Sequence, residues 1–209
     1  NFLYRSDENS EWPQFFTLST QKPEDKSGFW EIRTMDFHPQ ILLGQKLSFS
    51  LIANPVISRS TGEFRNTDLS KIRPKTNTKN EKVKRDDIIW LAKQKLKLEG
   101  KNYQDEVFLG KLIQDEGQKW LIAKSINKGF EVESVIVDSY RQIQFFKSGI
   151  TNPVKISTLR FNGILQVTDP NEFFMGVYEK YNDKGEYIAG IGPAKAFGCG
   201  LLLIKPCTR

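Results

Sequence analysis

The sequence predicts an α+β fold in which helices pack on antiparallel sheets. Residues 46–53 alternate apolar and polar side chains, which is typical of a half-buried strand. Residues 156–168 form a second strand-like segment that leads through Asp169 and Pro170 into a helix. A glycine-rich loop and the apolar segment 201–204 then close the chain. This order of strand, helix, loop and strand is the basis of the prediction.

The first third of the chain contains strand-like segments and a long polar stretch. Segments 2–5, 14–19 and 29–34 precede the strand predicted over 46–53. Asn54 and Pro55 end that strand, because proline cannot donate a hydrogen bond to a sheet. Residues 59–85 are polar and almost free of large apolar side chains, so we predict a long loop or linker.

Two helices are predicted next. Asp86 or Asp87 caps a helix that continues through Leu98, and Gly100 lies just past its end. A second helix covers much of 106–127.

Further strands follow these helices. Gly129 ends the second helix and leads into segments 130–137 and 140–146. A hairpin loop over 147–153 connects them to the strand at 156–168. Asp169 caps the last helix with Pro170 at its first position.

Composition narrows the class of protein. Of the 209 residues, 38% are hydrophobic and 12% aromatic, which is enough for packed domains. No apolar run reaches membrane-spanning length, and no signal-peptide pattern opens the chain. Cys199 and Cys207 have no histidine nearby, so we expect neither a metal site nor a disulfide framework, and we expect no cofactor. A reduced, cytoplasmic setting is the simplest interpretation.

Positive charge is concentrated in one segment. The chain carries a net charge of +6, and residues 59–85 alone contain nine basic and three acidic residues. A focused basic segment is typical of a protein with a polyanionic partner. The alternative is a solvated linker that is merely basic.

The glycine-rich loop is the most informative stretch. Residues 190–206 read GIGPAKAFGCGLLLIKP, and Lys195 lies between the first and second pairs of glycines. Glycines allow a close approach of the backbone to a ligand, and a lysine beside exposed N–H groups suits phosphate. The alternative is a tight packing loop between a helix and the final strand.

Three collinear motifs resemble those of the CasE family, the CRISPR repeat-processing endoribonucleases of type I-E Cascade. They are LIANP at 51–55, FNGILQVTDP at 161–170 and the glycine loop, with weaker matches in DFHP at 36–39 and KRDD at 84–87. The resemblance implies two tandem ferredoxin-like, or RRM-like, domains with helices on one face of each sheet. We expect an N-terminal domain over 1–58, a basic linker over 59–81 and a C-terminal domain over 82–209. The first strand and helix of the first domain are not visible in the chain, so that domain is expected to be incomplete.

The resemblance also implies a function. Members of the family cut precursor CRISPR RNA without metal at the base of the repeat stem-loop, remain bound to the hairpin and join other Cascade subunits. The family's catalytic histidine lies near the N-terminus, and we expect it upstream of residue 1. His38, the one histidine of the chain, lies in DFHP and is more typical of a turn or strand end than of a catalytic position. A non-catalytic scaffold that holds the RNA stem-loop is the alternative.

RNA is read largely through shape, phosphate and 2′-hydroxyl contacts, which calls for basic loops on a rigid platform. The alternative for each basic residue is ordinary surface charge. The candidate RNA-binding residues are Lys75, Lys84 and Arg85 in the basic segment, Arg141, Lys147 and Lys155 in the hairpin, and Lys195 with Gly190, Gly192, Gly198 and Gly200 in the glycine loop.

Overall fold

The computed structural model describes residues 2–7, 11–60, 83–101, 105–146, 153–179, 181 and 189–207. Its strands are β1 (Phe2–Asp7), β2 (Gln14–Ser19), β3 (Lys46–Ala53), β4 (Val56–Ser60), β5 (Val83–Asp87), β6 (Phe130–Phe145), β7 (Val154–Val167) and β8 (Leu202–Pro206). Its helices are α1 (Ile88–Leu98), α2 (Glu106–Ser125), α3 (Pro170–Val177) and a 3₁₀ helix, Lys195–Phe197.

The central sheet has four antiparallel strands in the order β6, β7, β3, β8. Leaving aside β4 and β5, which pair in a separate two-stranded sheet, the chain from β3 onward runs strand, helices, two strands, helix, strand. This is the order of elements of a ferredoxin-like unit, whose first strand lies between the third and the fourth. The predicted α+β fold with ferredoxin-like sheets is therefore confirmed.

The position of β3 bears on the predicted domains. The proposed N-terminal domain over 1–58 includes β3, yet β3 forms its hydrogen bonds with β7 and β8. A boundary at residue 58 would therefore separate the first strand from the rest of its sheet. The division of the chain into domains stays a prediction, and this pairing favours a boundary before Lys46.

One face of the central sheet forms the core with α2 and α3. Leu51 and Phe161 are opposite each other on β3 and β7, and both are buried. The indole of Trp120 on α2 stacks on Phe161 with ring centres 5.8 Å apart. Phe173 on α3 meets the ring of Phe130 edge-on at 5.5 Å. Burial of these side chains supplies most of the stabilisation of the unit.

The opposite face of the sheet is covered in part by the two-stranded ribbon of β1 and β2. Arg5 is only 2% exposed, and its guanidinium donates to Ser50 Oγ at 2.9 Å and to Asp7 at 3.2 Å. Arg160 on β7 approaches the same Asp7 carboxylate at 3.3 Å. Burial, opposed by the charge of Asp7, lowers the pKa of Arg5. This ion-pair network attaches the ribbon to the central sheet.

Aspartates cap all three α-helices of the described chain, as predicted for α1 and α3. Asp87 accepts from Trp90 N at 2.9 Å, and Asp105 accepts from Phe108 N at 2.8 Å. Asp169 accepts from the N–H groups of Asn171 and Glu172. Each carboxylate satisfies N–H groups that have no partner inside the helix.

Three predicted elements differ from the structure. Residues 29–34 form no strand, since Trp30 N donates to the Asp25 carboxylate at 2.8 Å instead of to a neighbouring strand. The segments 130–137 and 140–146 form one continuous strand, β6, whose register is irregular between Asp138 and Tyr140. The predicted linker is flanked by paired strands, because β4 and β5 form a two-stranded ribbon around it.

Candidate nucleic-acid interface

The hairpin of β6 and β7 extends past the edge of the central sheet. The pairing of β3 with β7 ends at Ala53 and Leu159, whereas β6 and β7 pair as far as Phe145 and Val154. We call residues 140–146 and 153–158 the outer hairpin. Among the described residues its backbone pairs with no third strand, although Ile156 and Ser157 near its base are buried.

The two basic side chains of the outer hairpin lie on opposite faces. Arg141 is opposite Thr158 and shares its face with Phe145, because strand residues two apart point the same way. Lys155 is opposite Gln144 and shares the other face with Ser157. Both Arg141 and Lys155 are exposed. The outer hairpin therefore carries positive charge on both of its faces.

A carboxylate lies at the base of the outer hairpin. Asp87 accepts the hydroxyl of Tyr140 at 3.0 Å and the hydroxyl of Ser157, both through Oδ2. Asn54 Nδ2 donates to the carbonyl of Ser157 at 2.6 Å. Gln142 Nε2 donates to the Tyr140 oxygen at 2.9 Å. These polar contacts connect the hairpin to the end of β5 and to the segment after β3.

The environment of Tyr140 keeps its phenol neutral. Burial raises the pKa of Tyr140, and the nearby Asp87 carboxylate and its hydrogen bond raise it further. A phenol with a raised pKa stays protonated near neutral pH, so it can donate a hydrogen bond but does not act as a general base. This geometry assigns Tyr140 the role of a donor to Asp87.

The remaining candidates from the basic segment are placed only in part. Lys84 and Arg85 lie in β5, opposite Arg59 and Ser58 of β4, and Arg85 is exposed. Arg85 precedes Asp87 by two residues, so it is close to the base of the outer hairpin. Lys75 and Lys147 lie outside the described residues.

The glycine loop is folded tightly against the sheet. Gly190 N donates to the carbonyl of Val177, and Gly200 N donates to the carbonyl of Ile52 on β3. Ile191 N donates to the carbonyl of Gly200, which closes the loop on itself. Gly190, Gly198 and Gly200 are buried. Their backbone N–H groups thus serve the fold.

Packing explains why two of these positions hold glycine. Gly190 has a φ of +92°, and a Cβ there would lie 2.9 Å from the carbonyl oxygen of Gly200. Gly192 has a φ of +82°, and a Cβ would lie 3.1 Å from the Trp120 ring. Residues that carry a side chain rarely adopt this left-handed region of backbone φ. The observations favour the packing alternative for the glycines themselves.

The exposed part of the loop is the 3₁₀ helix that carries Lys195. The hydroxyl of Tyr4 donates to the carbonyl of Ala196 at 2.9 Å, so β1 holds this turn. Lys195 and Ala196 line a shallow pocket together with Phe2 and Tyr4 of β1 and Phe15 and Thr17 of β2.

The 3₁₀ helix also contacts the outer hairpin. The Phe197 ring lies 5.2 Å from that of Phe145, centre to centre. Phe145 shares its face with Arg141, so this contact places the turn with Lys195 beside the Arg141 face. The structure thus brings together two candidate regions that are about fifty residues apart in sequence. Sequence reasoning identified the residues but not this contact.

His38 lies elsewhere. Its side chain is exposed, while the preceding Phe37 packs edge-on against Tyr178 at 5.0 Å and stacks near Phe174 at 6.2 Å. The DFHP segment is therefore held beside the C-terminal end of α3. The segment around His38 is irregular, and His38 lies in neither a strand nor an assigned turn.

Sequence reasoning missed the contacts of Asp87, Tyr140 and Ser157. The sequence offered Asp86 or Asp87 as a helix cap, and nothing in their spacing indicated two hydroxyl partners from strands more than fifty residues away. Among the described residues, no group of three or more His, Cys, Asp or Glu side chains could hold a metal ion. Within the same residues, none of the helices has the length and apolar character needed to cross a membrane.

Comparison with known proteins agrees with this architecture. The family model described as CRISPR associated protein matches residues 1–206. The chain belongs to this CRISPR-associated protein family. The family resemblance predicted from the glycine loop, LIANP and FNGILQVTDP is thereby confirmed. Among curated proteins, none matches the chain by sequence.

Solved structures of the family share the fold. Cas6e from Escherichia coli K-12 is 25% identical with a TM-score of 0.61, covering 99% of this chain and 85% of that chain. Cse3 from Thermus thermophilus, bound to an RNA representing a pre-cleavage complex, is 18% identical with a TM-score of 0.56. The match covers 99% of this chain and 78% of that chain. A chain of a CRISPR RNA-guided surveillance complex is 15% identical with a TM-score of 0.53. The match covers 99% of this chain and 77% of that chain. The last two likenesses concern the fold alone.

Proposed function

We propose that this protein is a CRISPR repeat endoribonuclease that cuts precursor CRISPR RNA at the base of the repeat stem-loop. It then stays bound to the hairpin product as a subunit of a Cascade complex. The observation that carries the proposal is the family match over residues 1–206. Relatives with this fold include a CRISPR endoribonuclease bound to RNA and a chain of an RNA-guided surveillance complex.

The outer hairpin and the turn at Lys195 form the proposed RNA-binding surface. An RNA helix presents phosphates on two strands, and side chains on both faces of a projecting hairpin can approach both. Arg141 serves one face and Lys155 the other, while Lys195 extends the Arg141 face through the contact of Phe197 with Phe145. Arg85 adds charge near the hairpin base. Lys75, Lys84 and Lys147 remain candidates for the same surface.

The proposed reaction is an in-line attack of a ribose 2′-hydroxyl on the adjacent phosphate. A histidine acting as general acid or base suits this step, because its pKa is close to neutral. Positive side chains stabilise the charge that develops on the phosphorane. The products are a 2′,3′-cyclic phosphate and a 5′-hydroxyl, and the reaction requires no metal ion.

A second function is favoured by one observation. His38 is the one histidine of the given sequence, and it lies in an irregular segment whose Phe37 packs beside α3. An RNA-holding scaffold subunit without turnover would need the same surface and no general acid. Under this alternative the glycine loop and outer hairpin keep their proposed roles.

A cleavage assay separates the two. End-labelled CRISPR repeat RNA is incubated with the protein in EDTA, beside the same RNA carrying a 2′-deoxy residue at the scissile position. Cutting of only the ribose substrate supports the endoribonuclease, and His38→Ala then tests the one histidine. Salt-sensitive binding without cutting supports the scaffold, since phosphate contacts make affinity fall steeply with salt. If the protein neither binds nor cuts the RNA, both proposed functions are refuted.

A further inference from the structure

One carboxylate bonds both strands of the outer hairpin at its base. Asp87 Oδ2 accepts the hydroxyl of Tyr140 from β6 and the hydroxyl of Ser157 from β7. Tyr140 is opposite Leu159, the residue of β7 at which the pairing with β3 begins. The two hydroxyls are thus attached at the point where the hairpin leaves the central sheet.

The outer hairpin needs such an attachment. Residues 154–158 of β7 pair with β6 and not with β3. An isolated two-stranded hairpin is only marginally stable in water. Just before Tyr140, Ser139 has a φ of +53° and the register is irregular, so the strand can change direction there. Without a lateral contact, little in the sheet fixes the direction in which Arg141 and Lys155 project.

The same carboxylate also fixes the basic ribbon. Asp87 is the last residue of β5, two residues after Arg85, and its Oδ1 caps α1 through Trp90 N at 2.9 Å. One side chain therefore connects the start of a helix, the end of a basic strand and both strands of the outer hairpin. The other two helix caps, Asp105 and Asp169, accept from backbone N–H groups at their own helix starts.

We propose that Asp87 is a positioning residue that fixes the outer hairpin relative to β5, so that the cations of both elements face one RNA stem. Tyr140 and Ser157 are the groups through which it acts. The inference rests on the proposed RNA-binding function. Asp87 itself contacts no RNA in this arrangement and contributes no proton to the reaction.

Asp87→Asn tests the proposal with little disturbance of the helix. Asparagine is as good a helix cap as aspartate, and its Oδ1 can still accept from Trp90 N. Its amide nitrogen cannot accept the hydroxyls of Tyr140 and Ser157. Tyr140→Phe is the second variant, because it removes one donor and leaves the cap intact.

Two measurements are made on each variant, both well below its unfolding temperature. The first is binding of a repeat stem-loop RNA over a range of salt concentrations. We expect the affinity for RNA to fall about five-fold. We also expect the slope of log affinity against log salt concentration to decrease by the equivalent of about one phosphate contact, since a misdirected hairpin neutralises fewer phosphates. The second is amide hydrogen exchange, which we expect to be faster in 140–146 and 153–158.

Matched controls separate positioning from general destabilisation. Asp105→Asn makes the same change at the cap of α2, where the carboxylate accepts from Phe108 N. Tyr178→Phe removes a buried tyrosine hydroxyl bond, to the carbonyl of Leu202 at 3.0 Å. We expect both controls to keep wild-type RNA affinity and salt dependence, even where Tyr178→Phe lowers the unfolding temperature.

The outcomes are distinguishable. Wild-type affinity and salt dependence in Asp87→Asn and Tyr140→Phe overturn the inference, whatever the exchange data show. An equal loss of affinity in the control variants also overturns it, because the effect would then follow stability. A wild-type protein that binds no stem-loop RNA refutes the proposed function first, and the inference with it.

Discussion

The glycine loop and the outer hairpin both supply candidate RNA-binding residues, but the structure holds them in place very differently. Both ends of the loop are buried, and its backbone bonds to β3 and to the end of α3. The outer hairpin is exposed and is attached at its base by the side chain of Asp87. The loop is therefore specified by packing, whereas the hairpin's direction depends on a few polar contacts. Substitutions in the two regions should have opposite signatures.

The largest effect on stability is expected from Gly190→Ala. The backbone there has a φ of +92°, and the new Cβ would meet the Gly200 carbonyl oxygen at 2.9 Å. We expect the free energy of unfolding to fall by about 2–3 kcal/mol, measured by urea denaturation. Gly110→Ala is the control, since it lies within α2 with nothing near its Cβ, and it should stabilise by about 0.5–1 kcal/mol. Equal stability of the two variants would contradict the packing explanation.

Arg141→Ala should show the opposite signature. Its side chain is exposed on the outer hairpin, so the free energy of unfolding should change by less than about 0.5 kcal/mol. Affinity for the repeat stem-loop should fall about ten-fold at low salt, because a phosphate contact is lost. Lys119→Ala on α2 is the matched control and should leave affinity unchanged. A loss of stability without a loss of affinity would exclude Arg141 from the binding surface.

Gly198→Ala should have a smaller effect than Gly190→Ala within the same loop. Its φ is +76°, but a Cβ there would lie 3.4 Å from the Tyr4 ring, which is ordinary contact. Only the backbone strain remains, so we expect a loss of about 1 kcal/mol in unfolding free energy. If this variant is destabilised as much as Gly190→Ala, steric contact is not what distinguishes the two positions.

The two cysteines give the mildest test of the buried loop. Burial raises the pKa of Cys199 to about 11, so its thiol is neutral at pH 8, whereas Cys207 is exposed. Iodoacetamide at pH 8 should alkylate Cys207 in the folded protein and both cysteines in denaturant, as read by mass spectrometry of peptides. Alkylation of Cys199 at the rate of Cys207 would mean that the loop opens readily.

Local signals in the sequence determined much of the fold. Segments 14–19 and 46–53 were predicted as strands with the bounds observed for β2 and β3, the second from its alternation, and the three motifs predicted the family. Asp169 was predicted as one cap, and Asp86 or Asp87 as another, because a helix start leaves N–H groups that nearby side chains must satisfy. The structure shows that Asp87 is the second cap. The strand at 29–34 was wrongly predicted because alternation says nothing about whether a partner strand is available.

The tertiary structure decided which residues work together. The sequence left open whether the glycines approach phosphate or only pack, and the burial of Gly190, Gly198 and Gly200 with their left-handed backbone favours packing. Only the folded sheet placed β3 beside β7 and β8, the turn at Lys195 beside Phe145, and Asp87 between Tyr140 and Ser157. Propensity, capping and alternation act over a few neighbouring residues. Strand order and side-chain contacts depend on how the whole core packs.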